Sequence, residues 1–233
     1  TTSNADLELA PNGTGHVTIK GNTNSGTIQF NCENNSHGQQ IKGAAHSVGS
    51  SAVVTIPDLT GDMIVGKFGG TNFTNSILIG HATTGTLNAA IRNVGIGSLA
   101  LDALTSGDNN VAIGYVAASA LSTGSNNIAL GTNSLVTSSG ATNCIAIGGD
   151  SLKVADGSTT ENVAVGQAAG IAVTSGNNNT FLGQSAGANV TSGSGNIVIG
   201  EANVSSATGD RQLVIAGNDG STTTTWISGN SSG

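Results

Sequence analysis

Asn110-Val111-Ala112-Ile113-Gly114, Asn127-Ile128-Ala129-Leu130-Gly131 and Asn162-Val163-Ala164-Val165-Gly166 are copies of one five-residue phrase, and their spacing decides the fold. The closing glycine recurs at Gly80, Gly97, Gly114, Gly131, Gly148, Gly166, Gly183 and Gly200, at intervals of 17 residues with a single interval of 18. A fixed period of this kind marks a stacked repeat, in which each unit is one turn that cannot bury its apolar side without neighbours.

Two columns accompany the glycine. Three residues before it stand Ile77, Val94, Val111, Ile128, Ile145, Val163, Thr180 and Ile197; one residue before it stand Ile79, Ile96, Ile113, Leu130, Ile147, Val165, Leu182 and Ile199. Residues two apart share one face of a strand, and β-branched side chains suit a pleated, packed surface. The structural core is therefore expected at Val94, Ile96, Val111, Ile113, Ile128, Leu130, Ile145, Ile147, Val163, Val165, Ile197 and Ile199. Seven residues after the glycine, Leu87, Leu104, Leu121, Ser138, Ala155, Val173, Val190 and Ala207 give a second, weaker inward column; three after it, Thr83, Ala100, Ala117, Ser134, Ser151, Ala169, Ala186 and Asn203 are nearly all small. Gly107, Gly124, Gly176 and Gly193 recur near the end of this return segment, where a corner with positive φ is expected.

Four residues before the marker glycine runs an amide column of Asn93, Asn110, Asn127, Asn162, Asn179 and Asn196. Stacked one per rung, such amides can hydrogen-bond up and down a ladder. Cys144 replaces an asparagine in this column, which favours a packed structural thiol over a reactive one. Cys32 and Cys144 lie too far apart for a CxxC metal pair.

The expected fold is all-β: a repeat β-solenoid or β-roll of about 17-residue rungs at residues 67–209, preceded by a small N-terminal β-rich domain at 1–66. Residues 210–233 are expected to hold a degenerate last rung, Gln212 to Ala216, and a C-terminal cap containing Trp226 and Ile227. In the first segment a hairpin is expected across Asp6–Leu9 and His16–Lys20, with further strands at Thr27–Cys32 and Ala52–Ile56. So little bulk stands in each rung that the inner faces of several chains are expected to meet, most simply around a threefold axis as a homotrimer.

Composition removes several function classes. Of 233 residues 36 are Gly, and 8% are charged against the usual ~25%. That balance, with a mean hydropathy of +0.07, opposes a solvated disordered tail. The six Lys and Arg are scattered singly in a chain of net charge −7, so nucleic acid is not an expected partner. No stretch approaches the ~18 apolar residues of a membrane span, and membrane insertion is not expected. The chain starts at Thr1 without an initiator Met, as a processed or excised chain would.

Two motifs invite catalysis and are better explained otherwise. Gly61-Asp62-Met63-Ile64-Val65-Gly66-Lys67-Phe68 approaches the phosphate loop GxxxxGK[ST], yet Phe68 stands where the Mg²⁺-binding hydroxyl belongs. Gly183-Gln184-Ser185-Ala186-Gly187 matches the hydrolase elbow GxSxG, but Gly166-Gln167-Ala168-Ala169-Gly170 repeats the same frame without a nucleophile. His16, His37, His46 and His81 lack metal-ligand spacing, and Asp108, Asp150, Asp210 and Asp219 read as turn residues. A hydroxyl-rich column through Asn88, Thr105, Ser122, Ser139, Asp156, Thr174, Thr191 and Thr208 lacks the second matching threonine column that a flat ice-binding face would want. No catalytic, cofactor-binding or metal-ligating residue is expected.

The phrases at 110–114, 127–131 and 162–166 resemble the head repeats of trimeric autotransporter adhesins, and similar repeats occur in tailed-bacteriophage fibres. Leu9 to Ile19, Thr55-Ile56-Pro57-Asp58 and Trp226-Ile227-Ser228-Gly229 look like segments of phage tail-fibre proteins, especially of marine and cyanobacterial phages. The resemblance implies an elongated, trimeric virion protein of the tail that acts in host attachment. Its partners would be other phage tail proteins and a host cell-surface glycan or protein receptor. A bacterial surface adhesin head is the alternative, with a polysaccharide-degrading tailspike behind it. No catalytic residue carries over from the resemblance.

Overall fold

A computed structural model of the chain describes residues 27–31, 38–42, 66–68, 72–80, 84–156 and 159–231. The chain divides into two compact units, Thr1–Gly61 and Asp62–Gly233. In the first, β1 (Thr27–Asn31) pairs antiparallel with β2 (Gly38–Lys42). The strand expected at 27–32 is present over 27–31, while Cys32, the expected hairpin at 6–20 and the strand at 52–56 lie outside the described residues.

The second unit is an all-β solenoid of about eight turns, with no helix among the described residues. Its sheet opens with β3 (Gly66–Phe68), antiparallel to β5 (Ile77–Ile79); β4 (Phe73–Thr74) and β6 (Ala90–Ile91) form a separate two-stranded ladder. From β5 the order runs through β7 (Val94–Ile96), β8 (Val111–Ile113), β9 (Ile128–Leu130), β10 (Ile145–Ile147), β11 (Val163–Val165), β12 (Thr180–Leu182), β13 (Ile197–Ile199) and β14 (Leu213–Asn218), all parallel. The register joins each residue to its repeat partner, for example Val111 to Ile128 and Ile113 to Leu130. β15 (Thr223–Gly229) returns antiparallel along β14. The solenoid sheet therefore runs from β3, at the expected boundary near residue 66, to β15 at Thr223–Gly229.

The inward position corrects the sequence reading. Within one chain the buried residue of each strand is the middle one: Leu78, Ala112, Ala129, Ala146, Ala164, Phe181 and Val198 are fully buried. The expected core residues Val94, Ile96, Val111, Ile113, Ile128, Leu130, Ile145, Ile147, Val163, Val165, Ile197 and Ile199 flank it on the opposite face, half-buried or exposed. Alternation fixes which residues share a face, but not which face turns inward. The rung is too thin for two large side chains, so a small middle residue meets larger ones from the return segment: Leu101 and Leu104, Leu121, Leu135, and Leu152 are all fully buried.

Volume is balanced from rung to rung. Leu78 fills the space beside Gly95, where a Cβ would collide with the leucine. Phe181, the largest residue in the column, lies against Gly170 and Gly187; a Cβ on Gly170 would meet its ring at 2.7 Å. A core packed this closely tolerates neither added nor removed methylenes without cost.

The marker glycines have two independent requirements. Their φ values run from +96° to +138°, and a Cβ on Gly148 would lie 2.5 Å from the Gly166 carbonyl oxygen. Gly107, Gly124, Gly176 and Gly193 are different from expectation: none has positive φ, and glycine is required because the next rung's carbonyl occupies the Cβ position. The tight corners instead use side-chain-bearing residues, such as Leu99 (φ 62°), Val116 (φ 61°) and Asn126 (φ 62°).

Two adjacent glycines give a controlled test. Gly148→Ala should lower stability by at least ~2 kcal/mol, from left-handed strain plus the carbonyl collision. Gly149→Ala, whose Cβ would meet nothing closer than Thr132 O at 3.8 Å, should stay within ~0.5 kcal/mol. Urea unfolding of the two variants measures the difference; equal losses would refute the close-stacking explanation.

Candidate functional site

The asparagine column forms one buried line through the solenoid. Asn93, Asn110, Asn127, Asn162, Asn179 and Asn196 are at most 1% exposed. The Asn110 backbone N–H and side-chain N–H donate to Asn93 Oδ1 at 2.9 and 3.1 Å, while Asn110 Nδ2 also donates to the Gly124 carbonyl at 2.9 Å. Asn127 repeats the pattern on Asn110 and Ala141, and Asn179 on Asn162 and Gly193. Ser76 begins the line by accepting from the Asn93 N–H, and Gln212 ends it by donating to Asn196 Oδ1. Among the described residues no buried side-chain nitrogen or oxygen lacks a partner.

Cys144 interrupts the line. Its N–H still donates to Asn127 Oδ1 at 3.0 Å, and its Sγ donates weakly to the Thr142 and Thr159 carbonyls, at 3.6 and 3.9 Å. Burial pushes the thiol pKa up, against the smaller opposing effect of hydrogen bonds from Asn162, Glu161 and Thr142. A buried thiol with a raised pKa is a poor nucleophile. Cys32 lies outside the described residues.

The polar columns on the return segment are also spent on stacking. Thr105 Oγ1 donates to the Ser122 carbonyl, Ser122 Oγ to Ser139, Thr174 Oγ1 to Thr191 and Thr191 Oγ1 to Ala207. Their hydroxyl protons point along the stack, which weakens any use of the column as a ligand-binding face. Asp108 accepts from the Ile91 N–H and Asp210 from the Ser194 N–H, both at 2.8 Å. Asp219 accepts from Thr222 and Ser221 in the turn between β14 and β15, and these bonds hold its pKa below the usual carboxylate value. Asp150 is lowered by Lys153, 2.9 Å away, and by Asn133.

The catalytic-looking motifs do not assemble. Gly66, Lys67 and Phe68 are β3, committed to pairing with β5 rather than curled around a phosphate. Ser185 is a left-handed corner (φ 53°) whose N–H donates to the Gln167 carbonyl, and Ala168 holds the same corner (φ 57°) one rung earlier. Ser185 borders an open cleft of about 350 Å³ with Glu201, Ala202, Asn203, Thr223 and Thr225, a set without an imidazole. All four histidines lie outside the described residues, and among the described ones no group of three His, Cys, Asp or Glu could hold a metal. No helix among the described residues is long and apolar enough to cross a membrane.

The outer face of the parallel sheet is apolar. The two columns flanking each buried middle residue form a ribbon of Ile, Val and Leu down nine parallel strands, with Thr180 its sole polar member. Ile113 is 41% exposed, Ile197 43%, and Ile96, Ile128, Val165, Leu182 and Ile199 between 36% and 38%. At ~4.8 Å per strand and ~3.3 Å per residue the ribbon covers roughly 430 Å² in plan, within the range where an apolar patch signals an interaction site. It carries no charged side chain.

Two outcomes check this assignment. Asn127→Ala should cost ~2–4 kcal/mol in chemical denaturation, because it strands the buried Cys144 N–H and the Ala141 carbonyl together; a loss under ~0.5 kcal/mol would mean the column adds nothing to stacking. Ser185→Ala should leave folding and any surface binding unchanged, and a hydrolytic activity abolished by that substitution would restore the elbow motif to consideration.

Compared with known proteins, the chain matches no family model, no curated protein and no solved structure.

Proposed function

We propose that this chain is a non-enzymatic structural protein of a bacteriophage tail fibre, an elongated homotrimer that contributes to attachment at the host cell surface. The observation that carries the reading is the uncharged ribbon of Ile, Val and Leu on nine successive strands. A surface of that extent is normally covered, and an object with the same 17-residue pitch is the natural cover, because only it presents an apolar pair at every rung. A stoichiometry of three, and the placement in a phage tail, come from the resemblance of the repeats and of the chain's ends to fibre and adhesin proteins.

The mechanism is geometric. Nine strands at ~4.8 Å stack into a sheet about 40 Å long. Asparagine, glycine and hydroxyl columns stiffen it by joining each rung to the next. Three chains held in parallel would present any surface contact three times, which converts weak single contacts to a glycan or protein receptor into avidity. Neighbouring tail proteins would hold the fibre at one end.

Native mass of the purified chain is the test. A species near three times 22.6 kDa that survives heating in detergent is expected, and a folded species at 22.6 kDa at every concentration would overturn the proposal. The two faces of β8 separate folding from association. Ile113→Asp should keep the β-rich circular dichroism spectrum but leave a monomer, because Ile113 is 41% exposed in the single chain. Ala112→Asp should prevent folding altogether, because it puts a charge into the closed interior.

A further inference from the structure

The apolar ribbon does not end with the repeats. Leu213 and Ile215 of β14 register with Ile197 and Ile199, so they continue both columns onto the last parallel strand. β15 then crosses antiparallel, with Ile227 opposite Ile215 and therefore on the same face. The next pair is Ala216 with Thr225, which leaves Trp226 as the extra residue of a β-bulge. A bulge changes the alternation locally, re-aiming a side chain that strict pleating would send to the other face.

The position of the indole is fixed by Gly217. A Cβ built on Gly217 would lie 2.5 Å from Trp226 Cζ2 and 2.9 Å from Cη2. Gly217 is the next residue on the outward side of β14, after Leu213 and Ile215, while Val214 and Ala216 between them are buried. Trp226 thus lies on the outward face beside Ile227, and the missing side chain at Gly217 makes room for it. Yet in the single chain Trp226 is 68% exposed and Ile227 53%, more than any repeat member of the ribbon. This is the chain's one tryptophan. A large aromatic held on a rigid strand, open on its upper side and continuous with an uncharged apolar surface, has the form of an interface anchor.

We infer that Trp226 and Ile227 are the anchor that closes this end of the chain-to-chain interface, packing against the same face of another copy of the chain. The inference rests on the association proposed above and adds its energetic centre. A Trp buries ~150–250 Å², a large increment beside a ribbon of roughly 430 Å² in plan. The partner is a copy of this chain because the anchor is the last step of a ribbon whose other steps match only the same rung spacing. It also explains a local sequence cost: β15 is exposed throughout and rich in threonine, yet carries adjacent Trp and Ile.

The single tryptophan reports on its own surroundings. The experiment measures emission and acrylamide quenching of the full chain across a concentration series, alongside native mass, for the wild type, Trp226→Phe and Trp226→Ala. The expected result is a blue-shifted, quencher-shielded indole in the assembled species, turning red and accessible on dissociation. Trp226→Ala should raise the concentration for half-assembly by about 30-fold or more with unchanged circular dichroism, and Trp226→Phe should recover most of the loss. Assembly with an accessible indole and an unaffected Trp226→Ala variant would overturn the anchor while leaving the ribbon interface standing. A wild-type chain that stays monomeric throughout would overturn both.

Discussion

Every rung of this solenoid depends on the hydrogen bonds that tie it to the next, and the buried asparagine amide is the one that leaves least freedom. Asn110 donates backwards to Asn93 and sideways to the Gly124 carbonyl, and its Oδ1 accepts from Asn127. Four bonds to one small side chain, two donated by Nδ2 and two accepted by Oδ1, fix the distance between rungs and the position of the return segment together. Left unpaired, each of those groups would cost ~1–3 kcal/mol in the closed interior. The glycines follow from the same constraint. Once the rungs are this close, Gly107 and Gly124 lie where the neighbouring carbonyl leaves no space for a Cβ, and the marker glycines must also take positive φ.

The same thinness produces the outer surface. A rung held this tightly sets a mostly small middle residue of the strand against leucines from the return, with Leu78 and Phe181 accommodated by neighbouring glycines, and the flanking aliphatic residues are turned outward. Ala112 is fully buried while Ile113 next to it is 41% exposed. A chain that uses its isoleucines on the outside has left much of its burial to be completed by something else. That division of labour, polar columns and small residues inside the chain and large aliphatics on its outer face, is the physical basis for the proposed reading as a fibre component.

The repeat, its period, the strand positions and the amide column were legible in the sequence, because each appears as a residue type at a fixed interval. The inward face was not. Alternation is symmetric, and Val111 and Ile113 are the more hydrophobic pair, so hydrophobicity pointed to the wrong side of the strand for a single chain. A signal was present: Ala112, Ala129, Ala146 and Ala164 are small in four successive rungs, as a position pressed between two layers must be. The left-handed corners at Leu99 and Val116 could not be read, because β-branched and long side chains are ordinarily excluded from that conformation and only the stacked neighbours hold them there. The bulge at Trp226 was equally hidden, since it depends on the register of two strands rather than on any local residue pattern.

Thiol accessibility at neighbouring positions of one strand tests the division between intrachain and interchain faces most directly. On a Cys32→Ser background, Ala112→Cys and Ile113→Cys would each be reacted with a maleimide at concentrations above and below assembly. The account predicts that Cys at position 112 is protected at every concentration at which the chain is folded, and that Cys at position 113 is protected only in the assembled state. Equal, rapid labelling at position 113 in dilute and concentrated samples would contradict it, because the outward ribbon would then be a free surface.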